Sequence, residues 1–390
     1  MGQIRGDVLD AHGITSSRGF LPESDPLRAF ETGDHDPDIA RYLEELDRLG
    51  DALPELLDDG MFREVGDALP SPPPGTFDEL STEEVKRLCL LASFFASGYV
   101  HQTGDGEVDR LPAGIAIPLY HSSKRIGRKP IAAYDTICLR NYELIDDTHG
   151  FQVENIRPVQ RFTDLADETW FVAIHVAIEA AAGEALTACA LAQEAIEAGN
   201  PAEVHSALSD IETSLETQTA IMQRMTEGND PQAFVDGFRP YYQGFDGIVF
   251  EGVSAIASEP QHLRGGSGAQ SSALPSIDAA FGIDHEQTEL IDKLDDMRSY
   301  MPAVHREAIE AFADGPDILA FVRSTGDPEL VDGFNRCIDG IVAFREVHFT
   351  QVAQYIRELA EDATGTGGTD YMTFLPKMKH ETERQRLPMP

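Results

Sequence analysis

Apolar residues recur along most of this chain at intervals of three and four, the spacing that gathers them on one face of an α-helix. The longest such segments lie near residues 168–198, 203–227, 287–323 and 328–361. Earlier segments are shorter. DPDIARYLEELDRLGDALPELL is followed by the Pro-rich link LPSPPPGTFDEL at 69–80, and KRLCLLASFFASGYV begins behind Ser81-Thr82-Glu83-Glu84. A serine three residues ahead of a glutamate, before an apolar run, is a capping-box start. Clean two-residue alternation between hairpin turns is absent, as is any repeat of fixed period, so the pattern predicts an all-α fold. PAGIAIPLYHSSKRIGRKPIA, broken by three prolines, is expected to be an irregular junction. It would join a small N-terminal helical domain, 1–112, to a large helical domain, 113–390. Two Gly-rich loops, LRGGSGAQSS at 263–272 and ATGTGGTD at 363–370, interrupt the second.

One apolar stripe carries two polar intruders. Phe334, Ile338, Ile341, Arg345, His348, Val352 and Tyr355 share one side of a helix, the side a soluble helix buries. A guanidinium and an imidazole on that stripe need partners inside the fold. His175 interrupts a second stripe, formed with Phe171, Ile178 and Ala182. The residues alone leave two readings open for these histidines. Each could be a core side chain bonded to a carbonyl. Alternatively, a helix-borne histidine with one open face suits a haem iron, and a nearby arginine suits a propionate. Other histidines, such as His35 in GDHDPD and His285 in GIDHEQ, sit in polar surroundings and are expected in solvent.

Composition narrows the partners. The net charge of −38 argues against nucleic acid and anionic membranes, which need a cationic surface. The acidic residues are spread along the whole chain, and only six of the 30 basic residues are lysines, a pattern fitting a halophilic, high-salt cytoplasm. No apolar run approaches the roughly 18–20 residues that span a bilayer, and the N-terminus lacks the apolar centre of a secretory signal, so a cytoplasmic protein is expected. Cys89, Cys138, Cys189 and Cys337 form no CxxC pair and are expected to be buried free thiols. The Gly-rich loops lack the lysine and strand of a nucleotide-binding loop; they are expected to be flexible segments over a site, or plain surface turns. HExxH is absent, and the one Glu-x-x-His spacing, Glu259 to His262, crosses Pro260 in a loop.

Six motifs in order carry a resemblance: GIAIPLYHSSKRIG at 114–127, AFVDGFRPYYQGF at 233–245, GGSGAQSSALPSID at 265–278, MRSYMPAVHR at 297–306, FREVHFTQVAQYI at 344–356 and GTGGTD at 365–370. With them the chain resembles the indoleamine 2,3-dioxygenase family, haem enzymes of tryptophan breakdown, from about residue 40 to residue 386. The resemblance implies a large helical domain holding haem b, with O2 as co-substrate. It implies His348 as the proximal iron ligand, Arg345 meeting a haem propionate and Asp278, and Gly266 beside the cofactor. On the distal side it implies an aromatic wall of Tyr134 and Phe171, Phe234 packed on the substrate ring, and Arg239 holding the substrate carboxylate. Ser267 and Gly268 would lie over the haem, and Thr366 would belong to a mobile loop closing on the amino acid.

Four positions depart from the well-known animal enzymes. His175 stands where they have a serine, Ile137 and Cys138 where they have cysteine and valine, and Tyr242 where they have a leucine. A neutral His175 is expected to accept a hydrogen bond from the indole N–H. The implied reaction opens the C2–C3 bond of L-tryptophan to give N-formylkynurenine, with an external electron donor keeping the haem ferrous. The oligomeric state is left open, with a monomer as the default. The rivals are a haem oxygenase acting on another indole or inserting one oxygen atom, and a haem protein that binds or senses a gas without turnover.

Overall fold

The helix Thr82–His101 starts at the expected capping box: the Ser81 hydroxyl accepts the Glu84 N–H, and the Glu84 carboxylate takes the Ser81 N–H at 2.9 Å. In the computed structural model, which describes residues 6–104, 106–256, 259–283, 285, 289–357 and 371–389, the chain is mainly helical. Pro37–Asp58 and Thr82–His101 bury their apolar faces together with Ala113–Arg125. That last helix overturns the expected irregular junction. Pro112 caps it, and Pro118 sits inside it, where the ring removes one helical hydrogen bond. Buried Ile115, Ala116 and Leu119 anchor the helix, so packing overrides the break.

The segment 287–323 departs from expectation too. It holds three helices, Glu289–Arg298, Ala303–Ala313 and Ile318–Thr325, interrupted at Pro302 and near Pro316. The chain also forms short strands that the pattern did not predict. Phe245–Phe250 pairs in parallel with Arg110–Leu111 and antiparallel with Gln261–Leu263. Glu143–Leu144 pairs with Ile156–Arg157. A register shift between Asp246 and Ile248 breaks the two-residue alternation that would have marked the longest strand.

The central helix, Ala166–Glu197, organises the rest. Glu168 reaches back from its first turn to accept the Phe162 and Thr163 N–H groups at 3.0 and 2.8 Å. Contrary to the expectation that no apolar run approaches bilayer-spanning length, this helix is long and apolar enough to cross a membrane, yet most of its apolar window, 72%, is buried within the fold. Its first half, Val172–Ala180, belongs to the apolar core shared with the N-terminal helices. Its second half packs in another core with Pro201–Gln223, Ala273–Phe281 and Pro328–Val352. The four cysteines are free and buried.

Two further histidines, His101 and His305, are also interior. Burial pushes His305 down to about 3 and His101 down to about 4. Both folded values lie below the unfolded value near 6.5, so the unfolded chain takes up these protons first. Their contribution to stability is present above about pH 6.5 and is lost as pH falls towards the folded values. Each group should add about 1.4 kcal/mol per pH unit to the slope of unfolding free energy between about pH 6 and pH 5. Urea titrations at the two pH values should show that slope reduced by one proton in His305→Phe; an unchanged slope would contradict the assignment.

Candidate functional site

His348 lies in the last turns of Pro328–Val352, on the predicted stripe. Phe334, Ile338, Ile341 and Arg345 are buried, and His348 and Val352 are half-buried. Burial first, and then the electrostatic influence of nearby His175, push His348 down to about 4, so the ring is neutral at neutral pH. Neither nitrogen of His348 has a hydrogen-bond partner among the described residues. His175 is likewise half-buried and held neutral by burial. Both rings have protein around them yet keep some accessible surface. His175 Nδ1 lies 2.8 Å from the Phe171 carbonyl oxygen. A carbonyl only accepts, so Nδ1 carries the proton and Nε2 is left as an acceptor. The carbonyl-bonded reading of His175 therefore holds for one nitrogen and leaves the other available.

Arg345, one turn before His348, donates to Asp278 Oδ2 at 2.5 Å, from the helix Ala273–Phe281. It also bonds the Thr382 hydroxyl, in the C-terminal helix Tyr371–Glu383. Burial alone would raise the Asp278 carboxyl, but Arg345 beside it and the bond from His285 outweigh that and hold it below the usual range. His285 Nδ1 in turn meets Glu381 at 2.7 Å. His285 is thus a structural link between two elements rather than a solvated surface group. His35 is corrected in the same way, its Nε2 lying 2.7 Å from Glu84. In each case an acid distant in sequence supplies the partner. Asp278→Ala would leave the Arg345 guanidinium buried without its anion, and a loss of about 3–5 kcal/mol is expected. Denaturant midpoints of the folded protein measure it, and a shift below about 1 kcal/mol would show the pair to be dispensable.

Across from His348, Phe171 is the hub of an aromatic cluster. Its ring centroid lies 4.3 Å from His175, 5.4 Å from Phe234, and 5.7 Å from both Phe238 and Tyr242. Phe234 and Phe238 come from the π-helical turn Phe234–Phe238, and Arg239 follows directly, buried, in the turn Arg239–Tyr242. Tyr355, in the turn Ala353–Arg357 that continues the His348 helix, meets Phe234 edge-on at 5.7 Å. Tyr134 closes another side, 5.9 Å from His175 at 73°. Ile137 and Cys138 are buried in the following turn, Asp135–Leu139.

The first Gly-rich loop is pinned rather than free. A Cβ on Gly265 would stand 2.0 Å from the Tyr242 carbonyl oxygen, and one on Gly266 would stand 2.2 Å from Ile137 Cδ1 and 3.1 Å from the Ala132 oxygen. Gln270 accepts the Tyr134 N–H at 2.9 Å and donates to the Gly265 carbonyl at 2.9 Å. Glycine here serves close approach of the loop to the wall, not mobility. Ser267 is half-buried and Gly268 exposed on this loop. Thr366 and the second Gly-rich loop lie outside the described residues. The structure therefore brings His348, His175, Phe171, Phe234, Tyr134, Tyr242 and the 265–271 loop into one neighbourhood, with Arg345 and Asp278 one turn away. The sequence singled out no role for Glu179, one turn beyond His175, which joins this group through side-chain bonds to Tyr134 and Ser271.

Neutral imidazoles from two different helices, an aromatic cluster and a buried Arg–Asp pair thus define a class: a helical protein whose candidate site is built between its core helices. The chain belongs to the indoleamine 2,3-dioxygenase family, whose model, described as indoleamine 2,3-dioxygenase, matches residues 8–364. That family is haem-dependent and uses O2. The chain is 31% identical to indoleamine 2,3-dioxygenase 1 of Mus musculus over 364 residues, covering 87% of this chain and 88% of that protein. It is 30% identical to a myoglobin of Haliotis madaka over 394 residues, 96% of this chain and 98% of that protein. It is 28% identical to indoleamine 2,3-dioxygenase acdA of Aspergillus candidus over 410 residues, 98% of each.

Proposed function

We propose that this chain opens the indole C2–C3 bond of L-tryptophan with O2, giving N-formylkynurenine. The observation that carries the reading is the pairing of a neutral His348, without a hydrogen-bond partner among the described residues, with an aromatic cluster carried next to buried Arg239. His348 would hold the iron of haem b, and Arg345, whose Nε makes no hydrogen bond among the described residues, would meet a propionate. When bound, the haem supplies the activation of O2 that an amino-acid side chain cannot provide.

The chain's own residues supply recognition. Arg239 presents a guanidinium fork that matches a carboxylate with two parallel hydrogen bonds. Phe171 and Phe234, stacked on each other at 28°, offer one aromatic wall for a flat ring, and Tyr134 bounds it. His175 Nε2 accepts the indole N–H and sets the ring's register. No strong base is needed, because both oxygen atoms end in the product; the protein positions the reactants and keeps water out. An external electron donor keeps the iron ferrous.

His175→Ser should retain haem and lower kcat/KM for tryptophan about three- to tenfold, the value of one hydrogen bond. Methylation of the indole nitrogen should harm the native protein more than the variant. Equal penalties in both would reject the contact. Two relatives carry the name myoglobin, which supports a second reading, gas binding without turnover. Arg239 next to the aromatic cluster favours the enzyme. Mass spectrometry of the tryptophan product under labelled O2 separates the readings. Two labelled atoms support dioxygenation, one means single-oxygen insertion, and no product from tryptophan or from other indoles means the second reading.

A further inference from the structure

Glu179 is 1% exposed on the central helix, one turn beyond His175. Its Oε1 accepts two hydrogen bonds, from the Tyr134 hydroxyl at 3.0 Å and from the Ser271 hydroxyl at 2.5 Å. Its Oε2 is buried with no hydrogen-bond partner. Among the described residues it makes no ion pair with any cation. A buried carboxylate with one oxygen wholly unsolvated and no counter-charge is a costly arrangement; a neutral acid is not. Burial does push this carboxyl upward.

The placement matters because Glu179 joins three elements that share the distal wall. Tyr134 stands edge-on to His175. Ser271 ends the Gly-rich loop, and that loop already grips Tyr134 once, through Gln270 and the Tyr134 N–H. Glu179 supplies the second grip, on the hydroxyl end of the same ring. Two attachments, one at the backbone and one at the tip, fix the plane of Tyr134, where one would leave its side chain free to rotate.

We propose that Glu179, as a neutral carboxylic acid, is a positioning residue that clamps Tyr134 to Ser271 and so sets the wall against which His175 and the substrate ring are held. The proposal deepens the reading given under Proposed function and rests on it for the identity of the ring. Glu179→Gln keeps an acceptor oxygen at Oε1 and replaces a neutral group by a neutral group. Glu179→Leu removes the acceptor and strands both hydroxyls.

The test compares the haem-loaded native protein with Glu179→Gln, Glu179→Leu and Tyr134→Phe. One readout is the C–O stretching band of the ferrous carbon monoxide complex, which reports the distal surroundings without turnover. The other is tryptophan affinity, from its effect on the Soret band. Glu179→Gln should keep the native band and bind tryptophan within about threefold of native. Glu179→Leu should shift or split the band and weaken tryptophan about tenfold. Should Glu179→Leu fail to fold, Tyr134→Phe, which removes only the hydroxyl, should move the band in the same sense. A native band and native affinity in Glu179→Leu, or a native band in Tyr134→Phe, would overturn the clamp. Glu179→Gln as damaged as Glu179→Leu would overturn the neutral acid. A native protein whose Soret band ignores tryptophan would instead count against the substrate reading, while the C–O band still decides the clamp.

Discussion

Replacing His348 by alanine is expected to leave a folded protein that no longer retains haem. The expectation follows from what His348 does and does not touch. Its ring makes no hydrogen bond among the described residues, it is only half-buried, and it is neutral, so no charge or donor is stranded when it goes. Truncation therefore removes modest packing, on the order of 1–2 kcal/mol. Arg345 and Asp278 stay paired one turn away. An axial ligand, by contrast, has no substitute nearby on that helix. Haem content per chain and the Soret band measure the loss, circular dichroism shows that the helices remain, and added imidazole should restore part of the Soret band by filling the vacated volume. Normal haem content in the variant would sink the ligand assignment. Helical loss in step with haem loss would show a structural rather than a ligating role.

Arg239→Ala should lower kcat/KM for tryptophan by about 2–4 kcal/mol, roughly thirtyfold to a thousandfold. Arg239 is buried in the turn that directly follows Phe238, so part of the aromatic cluster and the guanidinium are carried by one short piece of chain. A carboxylate bound there leaves water and needs a fixed cation, and alanine offers none. The sign of the effect separates recognition from fold maintenance. Indoles that lack the carboxylate should be nearly indifferent to the substitution, while tryptophan suffers. Equal losses for both, or no loss for tryptophan, would remove Arg239 from substrate recognition. A lysine at this position should recover only part of the activity, because a single ammonium cannot make the paired bonds of a fork.

The stripe from Phe334 to Tyr355 was legible because helical periodicity is local: a polar residue on an apolar face is an anomaly visible without coordinates. The capping box at Ser81 was legible for the same reason, its two partners being three residues apart. The helix through Pro118 was not, since its stability comes from apolar contacts of Ile115, Ala116 and Leu119 with distant parts of the chain. His285 and His35 were misread as solvated because the acids that hold them, Glu381 and Glu84, are 96 and 49 residues away. The Gly-rich loop at 263–272 suggested motion by composition alone. Its glycines instead answer to the Tyr242 carbonyl and Ile137, which lie in other elements.

Sequence by itself thus determined the helical class, the stripe that carries Arg345 and His348, and the family to which six ordered motifs belong. The first two are statements about spacing along the chain, and the third rests on the identity of the residues in the motifs. Which nitrogen of His175 is uncommitted, that Thr382 joins Asp278 in holding Arg345, and that Glu179 binds both Tyr134 and Ser271 were decided only by tertiary structure. The physical reason is the range of the forces concerned. Helix periodicity and capping act over three or four residues, whereas a buried hydrogen bond is indifferent to sequence distance and exists only once packing has brought its donor and acceptor within about 3 Å.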